Sequence, residues 1–121
     1  MADNYFQRRV ADWLAACFPR SVCSDRVEPA HRFLEEALEL AQASGCSSQD
    51  AHRLVDYVFT RDVGQPELEA GGVMVTLAGL CSASGINMTE AAEQELERNW
   101  ARIDAIRDKR ANKRAGSPLP A

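Results

Sequence analysis

The chain has 121 residues, 45% hydrophobic and 26% charged, the balance of one folded domain with a modest core and not of a disordered segment. A formal net charge of −4 and a pI of about 5.2 exclude a general binder of nucleic-acid backbone, which needs clustered lysine and arginine. No apolar run approaches the roughly 18 residues of a membrane span, so the expectation is a protein with neither a nucleic-acid nor a membrane partner. The opening "MADNYFQRRVADWLAACF" lacks a signal-peptide layout because Asp12 interrupts its apolar part, and a cytoplasmic location is the expectation. Cys17, Cys23, Cys46 and Cys81 contain no C-x-x-C pair and are expected to be free thiols.

In chain order, strand signals are poor and helix signals frequent. A first helix is predicted from about Asp3 to Phe18, with Tyr5, Phe6, Val10, Trp13, Leu14 and Cys17 at helical spacing and Pro19 beyond its end. A second starts near Ser24 or Pro29 and stops at Gly45. A third runs from Ser47 or Ser48 to about Thr60, with Asp50 near its positive end. After the turn "RDVGQP", a fourth runs from Pro66 to about Ser84, ended by Gly85. A fifth begins at Asn87 or Thr89 and continues through "EAAEQELERNWARIDAIRDKRANK".

The pattern predicts an all-α bundle of about five helices. One domain spans residues 1–115, and residues 116–121 form a flexible tail. From Ala70 to Leu80 the only polar side chain is Thr76. A helix apolar all round is expected to be buried on most sides, and a chain this short has few elements to cover it. A homodimer or homotetramer that completes the bundle is therefore expected. Gly71 and Gly72 cost about 1 kcal/mol each against alanine inside a helix, so a close approach is expected there, either of a packed helix or of a ligand.

"RFLEEALELAQ" carries three glutamates within five positions. On a helix Glu35, Glu39 and Glu36 fall within about 100° of arc, with Arg32 among them and the leucines opposite. One reading is a solvated face softened by Arg32. The other is a carboxylate cluster for Mg²⁺, a hard cation that takes oxygen ligands and keeps several waters. Glu69 stands at the mouth of the apolar fourth helix. There it either serves the helix dipole or supplies the second half of a metal site. Trp13 and Trp100 read as core or interface residues before base-stacking platforms. His31 and His52 fall in no ligand pattern.

E-E-x-x-E on one helix, "EEALE", followed on a later helix by "EAGGVMVTLAGLC", resembles the MazG-like all-α nucleoside triphosphate pyrophosphohydrolases, relatives of the dimeric dUTPases and dCTP pyrophosphatases. The resemblance covers roughly Arg26 to Arg110, and "GINMTEAAEQELERNWARI" is similar to the last family helix. It implies cleavage of a nucleoside triphosphate to the monophosphate and pyrophosphate, with Mg²⁺ or Mn²⁺ as cofactor. By position it assigns Glu36, Glu39 and Glu69 to the metal and Glu35 to the attacking water as orienter or base. Asn99 and Arg102, which match the family's N-x-x-R spacing, are assigned to the substrate. The chain departs from the pattern twice. Gly72 stands where the family has an aspartate, for which Asp56 is the nearest substitute, and Glu95 stands where it often has lysine. These departures keep open an alternative, a helical module that binds nucleotide or protein without turnover.

Overall fold

The computed structural model describes residues 4–18 and 25–111. The protein is all-α. Among the described residues there are six helices and no strand: α1 (Tyr5–Cys17), α2 (Val27–Ala43), α3 (Ser48–Phe59), α4 (Pro66–Ser84), α5 (Met88–Ala101) and α6 (Ile103–Ala111). Ser24, Cys23, Pro19 and the expected tail lie outside the described residues. The chain divides into two compact units, residues 1–36 with 93–121, and residues 37–92.

Local chemistry sets most helix ends. Asn4 caps α1 by accepting from the Gln7 amide at 3.0 Å. The start of α2 is fixed by Asp25, whose carboxylate accepts from the Val27 and Glu28 amides at 3.0 and 3.4 Å. Ser47 and Asn87 act likewise for α3 and α5, accepting from Asp50 and Glu90. Helix α4 begins on Pro66, which loses no intrahelical bond there. It ends at Gly85, which has φ 68° and lets the Ile86 amide reach back to the Cys81 carbonyl at 2.9 Å. Gly45, at φ 97°, ends α2 in the same way, with Cys46 donating to Ala41.

The single long last helix expected from the sequence is two helices. The Arg102 amide bonds to Asn99, three residues back, at 3.2 Å, which interrupts the α-helical ladder. The break separates α6, which packs along α1. Arg107 of α6 then donates to the carbonyls of Cys17 and Ala16, each at 2.7 Å, so a cation sits on the negative end of α1.

The first unit holds the core: Cys17, Phe18 and Leu96 are buried. Trp13 meets Phe18 edge-on with centroids 5.9 Å apart, and the Arg32 guanidinium lies over the Phe18 ring at 4.5 Å. Among them is a buried charge, Glu28, only 7% exposed. Its carboxylate accepts from Arg32 at 3.4 Å and from Arg110 at 3.1 Å, which ties α2 to α6.

The second unit has almost no core of its own. No residue of α3 is buried, and of α4 only Cys81 is. Within this unit the burial expected of α4 is not provided: Leu68 is 72%, Met74 56% and Val75 73% exposed. A Cβ added at Gly71, Gly72 or Gly79 meets nothing within 4 Å, so no close approach among the described residues explains these glycines. Among the described residues Cys17, Cys46 and Cys81 form no disulfide with one another.

The Glu28 pairing predicts a large effect from a small change. Glu28→Ala leaves two guanidiniums without their shared carboxylate. Because those partners keep 26–29% exposure, the loss is about 1–3 kcal/mol, short of that for a fully buried pair. Urea unfolding followed by circular dichroism measures it.

Candidate functional site: an aromatic and cationic cleft

The first unit contains a cleft of about 740 Å³, within the range of small-molecule sites. Helix α1 supplies Phe6, Val10 and Trp13, whose periodicity places them on one side. Helix α2 supplies Arg32, Phe33, Glu35 and Glu36. Helix α5 supplies Glu95 and Asn99, Arg102 stands at the break, and α6 supplies Lys109 and Arg110. The lining therefore combines an aromatic floor with three carboxylates and four cations.

The cleft brings together four of the residues singled out in the sequence: Glu35, Glu36, Asn99 and Arg102. Glu35 and Asn99 are half-buried, and Glu36 and Arg102 exposed. Both glutamates have further interactions within the chain. The other two candidates belong to the second unit. Glu39 is exposed on α2, and Glu69 is exposed with its carboxylate folded over the preceding turn, where a Cβ on Gly64 would lie 2.5 Å from its Oε1. Asp56 is exposed on α3. Among the described residues no three His, Cys, Asp or Glu side chains converge as a metal-ligand group. Arg32, expected to soften the acidic stripe, is paired with Glu28.

Two donors at the cleft stand out. Trp13 Nε1 and Arg110 Nε are shielded from solvent and have no hydrogen-bond partner among the described residues. A buried donor left unpaired costs about 1–3 kcal/mol, so an acceptor-rich ligand has a physical reason to settle against this wall. Of the remaining candidates, His52 Nδ1 lies 2.8 Å from the Ser48 carbonyl, one turn back on its own helix. Trp100 is 44% exposed and is not part of the cleft lining.

Reading the sequence alone misses the partners of Glu28 and the role of Trp13 as cleft wall. The Glu28–Arg32 spacing of four was a legible signal. The second guanidinium, from Arg110, comes 82 residues later and has no local signature.

Comparison of the chain with protein-family models, with curated proteins and with solved structures finds no match.

In the first unit, the Arg9 guanidinium bonds Glu93 at 2.7 Å and holds its carboxyl below the ordinary value of 4.5. A lowered folded value means that this contact stabilises the fold above pH 4.5 and is lost as pH falls through the folded value. Glu93→Gln should therefore flatten the stability–pH profile on the acid side of 4.5 and leave the profile near neutrality parallel to that of the parent protein. Chemical denaturation at a series of pH values measures both arms.

Proposed function

We propose that the protein is a Mg²⁺-dependent nucleoside triphosphate pyrophosphohydrolase of MazG-like type, with the cleft of the first unit as its nucleotide site. The observation that carries this reading is the presence of Glu35, Glu36, Asn99 and Arg102 on one cleft with Lys109, Arg110 and an aromatic floor. Phe6, Trp13 and Phe33 offer the apolar surface a nucleobase stacks on, a contact worth about 1–3 kcal/mol. Arg102, Lys109 and Arg110 offer cations to the phosphates, and the unpartnered Arg110 Nε offers a further donor.

The donor set suits Mg²⁺, which is bound through one or two carboxylates together with substrate phosphates and water, and Glu36 would hold it. When bound, such an ion neutralises phosphate charge and lowers the pKa of a coordinated water. The protein's own contribution follows from its side chains. Glu35 takes the proton of the attacking water as its oxygen bonds to the α-phosphorus. The bond from the α-phosphorus to the bridging oxygen breaks, and that oxygen leaves with pyrophosphate, its charge met by Arg102 and Lys109. Asn99 orients the substrate through hydrogen bonds. Glu39 and Glu69, which the family resemblance assigns to the metal, have no part in this cleft-based reading, because neither is among its lining residues.

A second reading is favoured by the absence of a convergent three-carboxylate group among the described residues and by Gly72 in place of the family's aspartate. In that reading the cleft binds nucleotide without turnover.

A panel of nucleoside triphosphates assayed for pyrophosphate with Mg²⁺ or Mn²⁺ separates the two. Turnover requires the divalent ion, and Glu35→Gln and Glu36→Gln each lower it by about 10²-fold or more. Arg102→Ala raises KM and lowers kcat. Nucleotide binding with no pyrophosphate from any substrate selects the second reading. Neither binding nor release rejects both.

A further inference from the structure

The cleft wall is backed by a charge that does not line it. Arg32 of α2 and Arg110 of α6 both line the cleft, whereas the carboxylate they share, Glu28, is outside the lining and only 7% exposed. Its two oxygens are divided between them. Oε2 accepts from Arg32 Nη2 at 3.4 Å and Oε1 from Arg110 Nη2 at 3.1 Å. A carboxylate that gives both oxygens to one guanidinium forms two parallel bonds and closes that fork. Here neither guanidinium receives both oxygens, so donors are left over. On Arg110 they include Nε, which is shielded from solvent and has no hydrogen-bond partner among the described residues.

The two arginines are not held alike. Arg32 has a second hold, since its guanidinium lies 4.5 Å over the Phe18 ring. Among the described residues, the Arg110 side chain has Glu28 alone as its hydrogen-bond partner. We propose that Glu28 is a positioning residue for phosphate binding. It acts through Arg110, holding that guanidinium at the cleft wall with its Nε–H open to a phosphate oxygen of the ligand. This role rests on the reading of the cleft as the nucleotide site.

A phosphate oxygen suits this donor, because it carries charge and accepts several bonds, and a guanidinium offers its N–H groups in one fixed plane. A lysine supplies the charge without the planar edge. A long side chain that is already held loses less freedom when the ligand arrives, so the hold by Glu28 favours binding. Charge alone predicts the opposite. Neutralising a carboxylate near an anion site makes the local potential more positive and tightens anion binding. A purely structural Glu28 predicts a third result, no change of affinity wherever the variant is folded. The sign of the effect therefore separates the three.

Calorimetric titration of the full chain with ATP, GTP, CTP, UTP and their deoxy forms, each with Mg²⁺, gives the parent dissociation constants. The tightest ligand is then titrated into Glu28→Gln, Glu28→Asp, Arg110→Lys and the combination of Glu28→Gln with Arg110→Lys. Circular dichroism at the titration temperature checks that each is folded. Glu28→Asp keeps the charge and draws the carboxylate back, so it tests position without neutralisation. Glu28→Gln and Arg110→Lys are each expected to raise the dissociation constant about tenfold, and Glu28→Asp to raise it in the same direction. The combination should bind little worse than Arg110→Lys alone, because both changes act through one contact. Binding that is tighter or unchanged in the folded Glu28 variants overturns the role, as do losses that add to that of Arg110→Lys. A parent that binds its nucleotide and is insensitive to these changes overturns this role alone. A parent that binds none of the nucleotides overturns the nucleotide reading of the cleft and this role with it.

Discussion

A carboxylate buried between two guanidiniums organises the first unit. Glu28 is on the first turn of α2, Arg32 one turn on, and Arg110 near the end of α6. A buried charge is tolerated only when paired and hydrogen-bonded, so its two partners have little freedom to leave. The pairing ties the start of α2 to α6, and Arg107 ties α6 to the end of α1. Those three helices supply most of the cleft wall. The same pairing consumes Arg32, so the cations left for a ligand are chiefly Arg102, Lys109 and the unused Nε of Arg110. An electrostatic requirement of the fold thus decides which charges the cleft can offer.

The second unit is governed by the opposite problem, apolar surface without cover. Its helices are capped and ended by well-formed local devices, at Ser47, Pro66 and Gly85, so they are well specified as helices. Capping fixes where a helix starts and stops, whereas packing supplies most of its stability in a protein. Cys81 is the only buried residue of α3 and α4, so little of that packing is present within the unit.

Much of this was legible in the sequence, for reasons that differ by residue. The span of α4 follows from Pro66 and Gly85, because proline suits a first turn and glycine alone enters the left-handed region freely. The boundary at Ser47 follows from hydroxyl capping. The start of α2 did not follow, because the sequence offers Ser24 or Pro29 as its start, whereas the Asp25 carboxylate accepts from its first amides. The break at Arg102 has no proline or glycine to announce it, and it accompanies the packing of α6 along α1. In the cleft, the grouping of Glu35 and Glu36 is local and therefore visible, as is Asn99 with Arg102. That the two groups share one space is a long-range fact, carried by the resemblance and not by spacing. Trp13 as a wall of that space, and Glu69 turned onto Gly64, come from tertiary and turn geometry that no local pattern encodes.

The central claim is that the cleft between α1, α2 and α5–α6 is where an anionic nucleotide binds. The chain has two tryptophans, one lining that cleft and one outside its lining, and each has an indole N–H resonance that proton–nitrogen spectra resolve. Titration of the ¹⁵N-labelled full chain with a nucleoside triphosphate and Mg²⁺ therefore reads the site directly. The account predicts a saturable shift of the Trp13 indole resonance, larger than that of Trp100 and removed by Arg102→Ala together with Lys109→Ala. A Trp13 resonance that stays in place at saturating nucleotide, or a response confined to Trp100, would contradict it.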